Sequence, residues 1–214
     1  MIKPDPFTSG RSTEAVSRLG YLPIFEKENA FDYLDRYDQI AIIDSDVWIR
    51  PNSPSIFDDI LPEMDMAAVI EQGMPLTDQY VDKIINYSKM QYCTLAKEMR
   101  LYLHSGGYSF CNMGVMVLNK KLREKLNGMS AKQFIQQPKF KDFVDGKGPW
   151  KWSTDQTLLN YWMQTSVEWQ QLDWKWNGLY SANTQIKQCH FVHFFLKDKL
   201  PNRGEDVATL MRDI

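Results

Sequence analysis

Residues 39 to 46, Gln-Ile-Ala-Ile-Ile-Asp-Ser-Asp, constrain the fold of this chain more than any other stretch. Ile40-Ala41-Ile42-Ile43 is continuously apolar, which is the pattern of a central strand covered on both faces and not of a half-solvated one. It stops at two carboxylates, Asp44 and Asp46, separated by Ser45. Residues i and i+2 of a strand point to the same side, so the pair can share one ligand. Two like charges at that spacing repel unless a cation lies between them. Carboxylate oxygens suit the hard ions Mg²⁺ or Mn²⁺. Taken alone, the tripeptide serves equally as a strand cap that starts a turn, the commoner use of Asp and Ser.

The rest of the chain reads as alternating elements. Residues 1–13 are rich in Pro, Ser, Thr and Gly and read as loop. A helical pattern over Thr13–Leu34 is broken at Pro23, and its second piece carries Phe25, Phe31 and Leu34 toward a core. Val47-Trp48-Ile49 follows the Asp pair, then a proline-rich turn and a short helix over Ile56–Asp59, and Met66–Ile70 reads as a second buried strand. Residues 78–103 are polar and helical with scattered aromatics, as a substrate-covering insertion would be. Strand character resumes over Tyr108–Asn112 and Gly114–Leu118 around a polar break. Helices are expected from Asn119 to Asn127, after an N-cap at Ser130, and over Gln156–Met163 behind Ser153 or Thr154. Late strands fall at Glu168–Leu172 and His190–Phe194. Strands and helices in alternation, without internal repeats, predict an α/β fold in a single domain spanning 1–214.

Composition narrows the partners. A net charge of −2 gives no footprint for nucleic acid. Three scattered cysteines, Cys93, Cys111 and Cys189, form no disulfide framework. The N-terminus has no apolar signal core, and no run approaches the ~18 apolar residues of a membrane span. Together these predict a cytoplasmic protein whose substrate must be inferred from a site.

Five motifs occur in one order: Phe25-Glu26-Lys27 leading through Tyr37-Asp38-Gln39-Ile40 to Asp44-Ser45-Asp46; Ser53-Pro54-Ser55-Ile56-Phe57-Asp58; Phe110-Cys111-Asn112-Met113-Gly114-Val115-Met116-Val117-Leu118-Asn119; Asp155-Gln156-Thr157-Leu158-Leu159-Asn160; and His193-Phe194 with Lys199 six residues after the histidine. As a set, from Tyr21 to Pro201, they resemble the GT-A nucleotide-sugar glycosyltransferases, most closely the glycogenin-like and lipopolysaccharide-galactosyltransferase-like branch. The resemblance implies a Rossmann-like mixed sheet with flanking helices and a metal-dependent transfer of sugar from a nucleotide-diphospho-sugar to an acceptor hydroxyl. It assigns Asp44, Asp46 and His193 to Mn²⁺ or Mg²⁺, with Lys27, Ser45, Gly114 and Lys199 around the donor. Asn112, Asp155 and Gln156 would face the donor sugar or the acceptor.

Each assignment has a structural alternative. His193 lies in a Phe-Val-His-Phe-Phe strand where a packed histidine is common, and His190 occupies the opposite face of that strand. Asn112 and Asp155 can act as caps, and Lys27 as a solvated charge. Six tryptophans crowd residues 150–176, of which one or two at most belong in a sugar site. Two departures from the family pattern stand out. Leu196 replaces the glycine of its His-x-x-Gly-x-x-Lys element. The strands expected ahead of Tyr21 are not recognisable, so the fold is expected to be N-terminally truncated. Open sheet edges would then permit a homo-oligomer or a non-catalytic subunit that pairs with another chain. A metal-dependent phosphohydrolase is the third reading of the Asp pair, and it leaves Asn112, Asp155 and Gln156 without a role.

Overall fold

A computed structural model describes residues 23–99, 107–151, 155–194, 211, 212 and 214. The expected first helical piece, the caps Ser153 and Thr154, Trp152, Leu196 and Lys199 lie outside the described residues.

Among the described residues, seven strands form two sheets. The larger contains β1 (Gln39–Ile43), β3 (Met66–Ile70), β4 (Cys111–Asn119) and β5 (Trp169–Gln171) in the order β1-β4-β3-β5. The smaller contains β2 (Val47–Ile49), β6 (Gly178–Leu179) and β7 (Phe191–His193) in the order β2-β7-β6. Helices α1 (Asp78–Tyr92), α2 (Leu122–Leu126), α3 (Ala131–Ile135), α4 (Lys141–Asp145) and α5 (Asp155–Ser166) flank them, with 3-10 turns at Pro23–Tyr33, Ile56–Asp59 and Trp174–Asn177 among others. No helix among the described residues is long and apolar enough to cross a membrane.

The buried centre of the large sheet is β4, not β1. All nine residues of β4 are buried, and it runs antiparallel to β1 on one side and to β3 on the other. β1 was expected to be central; among the described residues it is an edge, and its five residues are only half-buried. Its apolar run has a different cause. Ile40 and Ile42 pack against the cluster containing Phe25, Phe31 and Leu34, while Ala41 and Ile43 pack against the cluster containing Ile56 and Ile60. Both faces of β1 are therefore covered, while its outer edge has no strand partner among the described residues. Backbone pairing to β4 uses Ile40 and Ile42, continuing at Asp38, whose carbonyl accepts from Lys120, and at Asp44, whose N–H donates to Gly114. The N–H and C=O groups of Gln39, Ala41 and Ile43 point the other way, and no partner for them occurs among the described residues.

The polar break expected near residue 113 is instead an irregularity inside one continuous strand. Pairing of β4 with β3 shifts register between Ala68 and Val69, from Ala68↔Met116 to Val69↔Asn112. The face alternation slips with it: Met113 and Met116 both enter the core that holds Phe25, whereas Val115 and Val117 enter the other. Such bulges re-aim side chains where a sheet meets a site.

Boundaries elsewhere follow local chemistry. Ser130 caps α3 in a full capping box with Gln133. The helix expected from Asn119 starts only at Leu122, because Asn119 is the last residue of β4 and its amide bonds the carbonyls of Leu61 and Met64. Within the 78–103 stretch, α1 is anchored by buried Ile84, Ser88, Gln91 and Tyr92. All three cysteines are free thiols.

Candidate functional site

Strands β1 and β3 run in the same direction, opposite to β4, so the C-terminal ends of the first two and the N-terminal end of the third meet at one margin of the sheet. That margin is where open α/β sheets bind ligands. Here it delivers Asp44 after β1, Glu71 after β3, and Asn112 from β4, around a cavity of about 500 Å³ also lined by Lys27, Asp155, Gln156 and His193; Gly114 lies outside that lining.

The Asp pair does not lie on a strand. Asp44 accepts a hydrogen bond from the Val47 N–H at 3.1 Å, so Asp44 to Val47 forms a turn that passes the chain from the large sheet to the small one. The turn leaves Ser45 exposed and outside the cavity lining. Pairing of β2 with β7 sets Val47 opposite His193, and the Phe194 N–H donates to the Asp46 carbonyl at 2.9 Å. One ligand atom each from Asp44, Asp46 and His193 then lies within 4.8 Å of the others. His193 Nε2 is 3.2 Å from Asp46 Oδ1, and against burial, which would raise it, the histidine's hydrogen bond and charge hold the Asp46 carboxyl below its ordinary range.

Orientation of the His193 ring is fixed from behind. Its Nδ1 lies 3.0 Å from Asn177 Oδ1. Asn177 Nδ2 donates to Asn112 Oδ1 at 2.9 Å, so the Asn177 oxygen faces the ring and Nδ1 is the donor. Nε2 faces the two aspartates, 3.2 Å from Asp46 Oδ1. A carboxylate pair with a histidine whose far nitrogen is held by an amide suits a divalent cation. Gly114 makes the ring's position possible: a Cβ there would fall 2.6 Å from His193 Nδ1 and 2.9 Å from Asn112 Oδ1. His190 is elsewhere, packed on Trp176 with ring centroids 4.7 Å apart.

Lys27 stands at the inner end of the site. Its ammonium is 3.0 Å from Asp44 Oδ1 and 2.8 Å from Asp155 Oδ2, and donates to the Met113 carbonyl at 3.1 Å. Burial favours the neutral amine, but the two carboxylates outweigh it and raise the Lys27 pKa. Burial likewise works against charge on Asp155, the first residue of α5, and Lys27 is the group that opposes it. Lys27 is thus an ion-paired structural cation as well as a cavity-lining one.

Two polar residues of the site were not picked out from sequence for the roles they take. Asn177 was given no site role from the sequence, yet it is fully buried and joins His193 to Asn112. Glu71 was passed over entirely. It is 2% exposed, accepts from Asn112 Nδ2 at 2.8 Å, Gln156 Nε2 at 3.2 Å and the Tyr80 hydroxyl at 3.4 Å, and burial raises its pKa. Its signal was visible: like Asp44, it is a carboxylate that directly follows an apolar strand. None of the described tryptophans lines the cavity; Trp176 is buried, its indole N–H donating to Asp59 at 2.7 Å.

The chain has the GT-A glycosyltransferase fold. Mouse xyloside xylosyltransferase 1 in its apo form superposes with a TM-score of 0.51 at 18% identity, over 87% of this chain and 67% of that one. The galactosyltransferase LgtC, in complex with donor and acceptor sugar analogues, superposes with a TM-score of 0.53 at 17% identity, over 88% of this chain and 64% of that one. An active-site mutant of LgtC gives 0.54 at 16% identity, over 92% and 67%. This chain therefore spans about two thirds of their length. No family model matches it, and no curated protein compared with it does.

Proposed function

We propose that this chain is a metal-dependent glycosyltransferase that moves a sugar from a nucleotide-diphospho-sugar donor to an acceptor hydroxyl. The observation that carries this reading is the convergence of Asp44, Asp46 and His193, one ligand atom each within 4.8 Å, at the strand-end cavity of a GT-A fold. These three residues would hold Mn²⁺ or Mg²⁺, whose Lewis acidity supplies charge stabilisation to the departing nucleoside diphosphate. Lys27 keeps Asp44 and Asp155 in fixed positions and adds positive charge to the same wall. Asn112, Asp155 and Gln156 line the same cavity and would face the donor sugar or the acceptor hydroxyl. α1 contributes Tyr80, Lys83, Ile84 and Tyr87 to the lining, an arrangement suited to covering the acceptor.

Calorimetry with Mn²⁺ and UDP or GDP tests the reading. Heat of binding that disappears in Asp44→Ala is expected; absence of binding to both nucleotides by the wild-type chain would sink it.

The outer edge of β1, which has no partner among the described residues, favours a second reading, a non-catalytic subunit that pairs with a second copy through that strand. Light scattering at micromolar concentration decides it, since a monomeric mass removes it.

A further inference from the structure

Four carboxylates line the cavity, and they differ in what balances their charge. Asp44 and Asp155 share Lys27, and Asp46 has His193. Glu71 is held by neutral donors only. It also lies outside the three-residue cluster suited to a cation. Its two oxygens are treated unequally. Oε1 accepts from both Asn112 Nδ2 and Gln156 Nε2, whereas Oε2 has the Tyr80 hydroxyl alone, at a long 3.4 Å. An ionised carboxylate offers about four acceptor sites, so Oε2 retains unused capacity inside a cavity.

The support behind Glu71 is rigid. Asn112 is itself pinned, its Oδ1 accepting from the Gly114 N–H at 2.9 Å and from Asn177 Nδ2 at 2.9 Å. Through Asn177 the same network reaches His193. One hydrogen-bonded path therefore runs from the cation-binding end of the cavity to Glu71, and it fixes the distance between the two. A side chain held this way is pre-organised to receive a ligand.

We propose that Glu71 is the residue that recognises the transferred sugar, Oε2 accepting hydrogen bonds from the hydroxyls of the sugar ring. This deepens the glycosyltransferase reading and rests on it. Ring hydroxyls are donors that a nucleoside diphosphate's phosphates cannot supply, and hydrogen bonds to a charged acceptor are the strong ones. A site built around a buried acceptor discriminates sharply against ligands that leave it unpaired.

The test separates sugar from nucleotide. Wild type, Glu71→Gln and Tyr80→Phe are titrated calorimetrically, with Mn²⁺, against UDP, GDP, UDP-galactose, UDP-glucose, UDP-xylose and GDP-mannose. In wild type at least one nucleotide sugar binds tighter than its parent diphosphate. Glu71→Gln keeps the diphosphate affinity within about twofold and loses that sugar increment by tenfold or more, while Tyr80→Phe changes it little. Equal losses for diphosphate and nucleotide sugar in Glu71→Gln would make the residue structural and overturn the proposal. So would a wild type that binds a diphosphate but gains nothing from any attached sugar, an outcome that leaves the glycosyltransferase reading standing. A wild type that binds no nucleotide removes both.

Discussion

At the scale of single residues, the site depends on atoms that sequence pattern can only partly expose. The grouping of Asp44, Asp46 and His193 was legible because residue type and order carry it. The reason for Gly114 was not: the resemblance set it around the donor, whereas the space its missing Cβ leaves is filled by the His193 ring. Gly114→Ala therefore displaces that ring, and Mn²⁺ affinity measured by calorimetry should fall at least tenfold; an unchanged affinity would show that the ring is not a ligand. Glu28 makes a different prediction. It is fully buried, no side-chain partner for either carboxyl oxygen occurs among the described residues, and burial, reinforced by Asp155 and opposed by Lys27, pushes its pKa well above the usual range. A raised folded-state pKa means that the associated stability is complete below the unfolded value, about 4.3, and is lost as pH climbs through the folded one. Glu28→Gln keeps the shape without the charge. It should melt above wild type by roughly 2–4 °C or more at pH 8, the shift expected for each ~1 kcal/mol in a chain of this size, and converge with wild type toward pH 4. A difference independent of pH would remove charge as the cause.

At the scale of elements, periodicity located the strands and misjudged their neighbours. β1 and β3 were read with their observed bounds from apolar runs. Their places in the sheet were not, since a run covered by helices on both faces looks the same whether its edge is paired or open. The bulge in β4 was equally hidden, because the residues that cause the register shift lie on two strands distant in sequence. What sets the start of β4 is a side chain on α5. Asn160 accepts from the Cys111 N–H at 2.6 Å and donates to the Cys111 carbonyl at 2.8 Å, doing for that residue what a neighbouring strand would do. Asn160→Ala leaves both backbone groups buried and unpaired, at a cost of about 3 kcal/mol. A melting temperature lower by roughly 6–12 °C should follow; a drop under about 2 °C would mean that water or a shifted strand replaces the contact.

At the scale of the whole molecule, the site is the place where the chain is tied together. Asp44 leaves the large sheet, His193 belongs to the small one, Lys27 comes from the first 3-10 helix and Asp155 from the start of α5. No local pattern announces this, because the Asp44–Val47 turn carries the chain from the large sheet into β2, which pairs with β7, a segment about 145 residues away. The resemblance to a family could order the motifs along the chain; only pairing in space could place Glu71 and Asn177 behind them. A ligand that bridges these elements should stabilise all of them at once, since anything that binds the folded state alone adds stability by mass action. Mn²⁺ with a nucleoside diphosphate, each at about a hundred times its dissociation constant, contributes about 2.7 kcal/mol or more. The melting temperature should then rise by roughly 5–10 °C. Asp46→Ala should abolish the shift while still folding, because Asp46 is half-exposed and its backbone carbonyl, not its carboxylate, receives the Phe194 N–H. Stabilisation that survives in Asp46→Ala would place the ligand somewhere other than the junction of the two sheets.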